Sequence, residues 1–240
     1  AIAGALEGVP HLVCFSIKSN SNLTIIRLMK GMGSGFDVVS GGELFRALKA
    51  GAEADRIVFA GVGKTAEEIS YAIDSKILMF NCESVQEIDV IDSISAAKKT
   101  ITDIAIRVNP DVDADTHHYI TTGKKENKFG IAIDRLGDYL SAIQSRKNIR
   151  LRGIHTHIGS QITSVDPYRK TLGKISLLIR DLKGAGFQSI DHFNLGGGFG
   201  IVYSDEKPFS FSEWAAEVKK HIAPMGLRLI IEPGRFLSGN

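Results

Sequence analysis

His11-Leu12-Val13-Cys14-Phe15-Ser16-Ile17-Lys18-Ser19-Asn20 opens as an apolar run and closes on a lysine and an asparagine. A short continuous apolar run reads as a strand buried on both faces. From Asn22 onward apolar residues recur at helical spacing. A buried strand that hands over to an amphipathic helix, with a lysine at its carboxyl end, is the unit by which the rest of the chain is read.

Eight such runs recur, at residues 11–19, 35–40, 56–61, 77–83, 103–110, 151–160, 192–198 and 228–234. Helical stretches separate them. Ser40-Gly41-Gly42-Glu43, Thr65-Ala66-Glu67-Glu68, Ser84-Val85-Gln86-Glu87 and Ser210-Phe211-Ser212-Glu213 fit the capping box, in which hydroxyl and carboxylate satisfy each other's free amides. Asp166-Pro167 places a cap residue before a first-turn proline. Gly51, Gly186 and Gly31 stand where helices should end. Strands alternating with helices predict an α/β protein, a parallel (β/α)8 barrel. An open doubly wound sheet is the alternative, because alternation does not by itself close a ring. Two long connections, 111–130 and 201–208, follow the fifth and seventh runs, at the mouth of such a barrel.

Composition sets the frame. A chain of 240 residues, 43% hydrophobic and 23% charged, fits one barrel domain over 1–240. The net charge is +2 with both signs interspersed, so no basic stripe calls for nucleic acid. No apolar run reaches membrane-span length and no signal peptide is recognisable, which excludes a membrane partner and predicts a cytoplasmic protein. Cys14 and Cys82 fall inside predicted strands and read as reduced core thiols. The chain begins without methionine and stops at Asn240 with no terminal helix, as expected of a fragment of a longer protein.

In a barrel, chemistry collects at the carboxyl ends of strands. There the sequence places Lys18, Asn109, His157, Ser160, Gly196, Gly197, Gly198, Glu232 and Arg235. A buried lysine has its pKa lowered and can condense with an aldehyde; the bland reading is a solvated lysine salted to a carboxylate. Gly196-Gly197-Gly198 lets backbone amides approach an anion, or is simply a tight turn. Its spacing is not that of a dinucleotide fingerprint. Glu232 can hold a protonated ring nitrogen and Arg235 a phosphate or carboxylate; alternatively the two pair with each other. His155 and His157 share a strand face and admit a metal-dependent hydrolase reading, but no third histidine is well placed, so no metal is expected. His155 alone reads as a core histidine satisfied by hydrogen bonds. Lysine, anion cradle, ring-nitrogen carboxylate and a stacking imidazole together describe a pyridoxal phosphate site. A carboxylate at the ring nitrogen favours decarboxylation over racemisation, because it keeps the ring electron-withdrawing.

At this point the sequence resembles the fold-type III pyridoxal phosphate enzymes, the alanine racemase-like barrels, and within them the diaminopimelate decarboxylase family. The motifs run in the family's order: Ser16-Ile17-Lys18-Ser19-Asn20, Gly35 through Leu44, Arg107-Val108-Asn109-Pro110, Asn127-Lys128-Phe129-Gly130, His155 through Ile162, Gly196-Gly197-Gly198 and Glu232-Pro233-Gly234-Arg235. The resemblance implies Lys18 as the Schiff-base lysine, His157 stacked on the ring and Glu232 at the ring nitrogen. It implies Ser160, Gly196, Gly197, Gly198, Gly234 and Arg235 around the phosphate, with Arg235 also meeting a substrate carboxylate. Asp37 and Arg107 would support the lysine and the ring. The implied reaction converts meso-2,6-diaminopimelate to L-lysine and CO2, with sibling decarboxylases of ornithine, arginine or carboxynorspermidine, or a non-catalytic cofactor-binding homologue, as alternatives. A homodimer of the full-length protein is implied as well.

Two departures stand out. Serines at Ser16 and Ser19 replace the family's common alanines. The family's β-rich domain, which supplies further site residues, has no counterpart before Asn240, so this piece is expected to bind cofactor weakly and to lack efficient turnover.

Overall fold

The structure is a computed structural model that describes residues 2–112 and 129–239. Among the described residues nine strands occur in chain order: β1 (His11–Ser16), β2 (Gly35–Val38), β3 (Ile57–Phe59), β4 (Met79–Cys82), β5 (Thr102–Asn109), β6 (Ile131–Ala132), β7 (Ile149–His155), β8 (His192–Asn194) and β9 (Arg228–Ile231). All pairings are parallel. The ring runs β1, β2, β3, β4, β5, β7, β8, β9 and back to β1, with the β4–β5 pairing closing it. This is a (β/α)8 barrel, and closure removes the open-sheet alternative. The two-residue β6 was not expected; it adds to β5 through Val108 and Asn109, outside the ring.

The continuous apolar runs are explained by two cores. Leu12, Cys14, Val58, Met79, Ala105 and Ile230 meet as a plug within the barrel. The opposite strand faces pack on the surrounding helices, in a larger cluster that includes Phe15, Phe36, Phe59, Phe80 and Trp214. Burying each such side chain contributes about 1.5–3 kcal/mol. Cys14 sits in the plug and Cys82 in the outer layer, both free thiols whose pKa burial raises. At Gly35 a β-carbon would stand 2.4 Å from the Arg56 carbonyl oxygen, so β2 can approach β3 only without a side chain there.

The caps agree with the sequence in part. Thr65 and Glu68 form the full reciprocal box at the start of helix Ala66–Ser75. Ser40, Ser84 and Ser210 each accept the amide three residues on, but their glutamates turn elsewhere. Glu43 takes the Val39 amide and Glu87 the Glu83 amide, each one residue before the cap. Asp166 is already the first residue of helix Asp166–Gly184; Val165 is the cap, and Asp166 pairs with Arg169. Helix Leu23–Gly31 ends at Gly31 as expected, with Gly33 (φ +82°) just beyond its cap Met32, and Gly51 and Gly186 stand at positive φ. Of the two long connections, residues 113–128, with Asn127 and Lys128, lie outside the described residues, and Tyr203 comes from the second. No described helix is long and apolar enough to cross a membrane.

Candidate active site

Side chains alternate across a strand, so the residue two positions beyond a plug residue also points into the barrel, one layer nearer the carboxyl end. Cys14 is followed by Ser16, Met79 by Asn81 and Glu83, Ala105 by Arg107, and Ile230 by Glu232. The inward layer therefore changes from apolar to polar at one level, and that level is the floor of a cleft of about 610 Å³. Lys18, Glu83, Arg107, His155, His157, Ser160, Gly198, Glu232, Gly234 and Arg235 all line it.

Lys18 sits on a 3-10 turn, Ile17–Ser19, that ends β1. The Ser19 hydroxyl donates 2.7 Å to the Ser16 carbonyl oxygen and holds the turn. Lys18 Nζ donates to Asp37 Oδ2 at 3.2 Å, and the Ser16 hydroxyl donates to the same oxygen at 2.7 Å. The two serines that depart from the family pattern thus have defined work. Asp37 raises the Lys18 pKa, outweighing the lowering by burial. This corrects the expectation of a depressed lysine: without a bound aldehyde, Asp37 keeps it protonated. Burial in turn pushes the Asp37 carboxyl up.

Glu232 lies at the end of β9 and receives three neighbours. Asn81 Nδ2 donates to Oε1 at 3.1 Å, Asn194 Nδ2 to Oε1 at 2.5 Å, and His155 Nε2 stands 3.4 Å from Oε2. Burial alone would raise its pKa, but His155, Lys18 and Asn194 together hold it below the ordinary carboxylate range. Glu232 is therefore ionised at neutral pH. It makes no pair with Arg235, whose guanidinium meets the Ser160 hydroxyl at 3.3 Å and Tyr203, both by hydrogen bond to the hydroxyl and over the ring at 5.6 Å. His155, read from sequence as a core histidine, packs instead against the carboxylate.

His157 Nδ1 accepts the Gly197 amide at 3.2 Å, which leaves the imidazole proton on Nε2. Burial first, then the nearby Arg107 and Lys18, push its pKa down to about 3, so the ring is neutral. Arg107 pairs with Glu83 at 2.9 Å and covers the Phe129 ring at 5.0 Å. Gly196 donates its amide to Asn194 Oδ1 at 2.9 Å, so among the three glycines it is Gly198 that lines the cleft. At Gly197 a β-carbon would stand 2.3 Å from the Glu232 carbonyl oxygen, and at Gly198 2.6 Å from that of Gly159. Asn109 accepts the Asp111 amide at 2.9 Å.

Sequence reasoning missed Ser16, Asn81, Glu83, Asn194 and Tyr203. The available signal for Asn81 and Glu83 was their spacing of two and four from a plug methionine. Among the described residues, no three His, Cys, Asp or Glu side chains converge to hold a metal.

The donor set fits a phosphorylated aldehyde ring. One lysine faces an open cleft, an ionised carboxylate closes the floor, and the Ser160 hydroxyl and Arg235 guanidinium stand together with Gly198 and Gly234 in the same lining. Arg235 Nε is buried without a hydrogen-bond partner, and a β-carbon at Gly234 would meet Ser16 and Ser19 at 3.2 Å. A barrel with this site defines a pyridoxal phosphate-binding protein.

Comparison with known proteins agrees. The model of the family described as "Pyridoxal-dependent decarboxylase, pyridoxal binding domain" matches residues 2–239. The diaminopimelate decarboxylase of Pseudomonas fluorescens is 44% identical over 239 residues, 99% of this chain and 57% of that protein. That of Neisseria meningitidis serogroup A is 46% identical, over 98% of this chain and 58% of its own length. The crystal structure of diaminopimelate decarboxylase from Helicobacter pylori complexed with L-lysine superposes with a TM-score of 0.95 at 37% identity, covering 98% of this chain and 60% of that one. The chain belongs to the pyridoxal-dependent decarboxylase family, and its cofactor is pyridoxal phosphate. It spans somewhat over half the length of the curated relatives it matches.

Proposed function

We propose that this chain is the cofactor-binding barrel of a diaminopimelate decarboxylase, and that the whole protein converts meso-2,6-diaminopimelate to L-lysine and CO2. The observation that carries the chemistry is the ionised Glu232, buried at the cleft floor and braced by Asn81, Asn194 and His155. The likeness to diaminopimelate decarboxylases supports the substrate.

When bound, pyridoxal phosphate supplies an electron sink for the bonding pair left by the departing carboxylate. Glu232 would hold a proton at the pyridine nitrogen, which keeps that sink strong. Lys18 would release its proton to condense with the aldehyde, with Asp37 Oδ2 at 3.2 Å as the nearest acceptor, and would later be placed to return a proton to Cα. His157 presents a neutral ring, suited to stacking rather than to adding a cation. Ser160, Gly198, Gly234 and Arg235 would hold the phosphate, and Arg235 can also reach a substrate carboxylate. Gly196 and Gly197 would act indirectly, by shaping the loop. Arg107 would support the ring from β5, tethered by Glu83.

The protein acts as a homodimer in the cytoplasm on this reading. The test is product formation by the full-length protein with pyridoxal phosphate. Lysine and CO2 from meso-2,6-diaminopimelate, with ornithine and arginine turned over far more slowly, support it. Preference for ornithine or arginine overturns the substrate and keeps the family.

A further inference from the structure

Tyr168, two residues into helix Asp166–Gly184, is fully buried below the glycine loop. Its ring stacks on Phe199 at 5.5 Å and meets Phe209 and Trp214 edge-on. Its hydroxyl donates to the Gly197 carbonyl oxygen at 2.9 Å. Burial raises its pKa, so the hydroxyl stays protonated as a donor.

That carbonyl belongs to the peptide unit whose other end is the Gly198 amide. Across a trans peptide the C=O and the following N–H point in opposite directions. With the carbonyl turned into the aromatic layer, the Gly198 N–H is turned away from it, and Gly198 lines the cleft. Gly196 and Gly198 stand at φ +71° and +98°. Peptides between glycines flip at little steric cost, so the loop alone does not choose this orientation. The other two amides are occupied, by Asn194 and His157.

We propose that Tyr168 is a positioning residue that latches the Gly197–Gly198 peptide so that the Gly198 amide faces the cofactor's phosphate, making the site selective for the phosphorylated ring. This rests on the cofactor site described above and assigns a role to a side chain that touches neither cofactor nor substrate.

The test compares binding of pyridoxal phosphate and of pyridoxal to the full-length protein and to its Tyr168→Phe variant. Both ligands offer Lys18 the same aldehyde, so the ratio of their affinities isolates the phosphate. Tyr168→Phe keeps the ring and its stacking. The expected result is a roughly ten-fold loss of the preference for pyridoxal phosphate, the scale of one hydrogen bond, with pyridoxal affinity nearly unchanged. A variant that folds and keeps the full preference overturns the latch but not the cofactor site. A wild-type protein with no preference overturns both. Should the variant fail to fold, the Gly198 amide resonance of the wild type decides: a shift with pyridoxal phosphate but not with pyridoxal supports the latch, and no shift overturns it.

Discussion

Asn194 Nδ2 donates to Glu232 Oε1 while Asn194 Oδ1 accepts the Gly196 amide, so one side chain joins the floor carboxylate to the glycine loop. The arrangement fixes the distance between the Glu232 carboxylate and the glycine loop. It is built from neutral amides, which orient a carboxylate without cancelling its charge.

Asn194→Leu removes both bonds and leaves a buried carboxylate short of a donor. Turnover by the full-length protein is expected to fall roughly ten- to a hundred-fold, since a hydrogen bond to a charged group is lost. Steady-state kinetics at saturating cofactor check this; unchanged kcat rejects the bracing role.

Glu232→Gln keeps the shape and removes the charge. Cofactor binding should persist, while kcat drops on the order of a hundred-fold or more, because the charge proposed to face the ring nitrogen is lost. Cofactor titration alongside kinetics separates the two effects.

His157 sets an acid limit on stability. Its folded pKa is about 3, and an unfolded histidine titrates near about 6.5. Between those values the unfolded chain binds more protons, so this contribution is complete above about pH 6.5 and is lost progressively as pH falls. The urea midpoint should therefore rise with pH across that window, and His157→Gln should flatten the rise.

Lys64 is a buried lysine outside the cleft. Its Nζ donates to the Gly61 and Asn81 carbonyl oxygens at 2.7 and 3.0 Å and pairs with Glu87 at 2.5 Å. Both side chains are nearly or wholly inaccessible. Lys64→Met strands a buried carboxylate and should cost about 3–5 kcal/mol of stability. The double variant Lys64→Met, Glu87→Leu should recover much of that loss. Chemical denaturation of the three proteins measures it.

The barrel was legible because most of its strands are continuous apolar runs and because Ser40, Thr65, Ser84 and Ser210 each mark the start of a helix. The bracing residues were not. Asn81 and Glu232 are 151 positions apart and meet only because the ring closes. A lone asparagine in a strand carries no local mark of what it will face, and Lys64 on a loop reads as solvated. That Lys18, His157, Glu232 and Gly198 would share one cleft could be read because each ends a strand in a motif. Lys18 was misjudged in charge, since Asp37 approaches it from a different strand.

The account turns on Lys18 as the residue that holds the cofactor. The purified chain, alone and extended to the length of its relatives, should be mixed with pyridoxal phosphate, reduced with borohydride and digested for peptide mapping. The account predicts one labelled peptide, with the label on Lys18. A label spread over other lysines, or none in either protein, would contradict it.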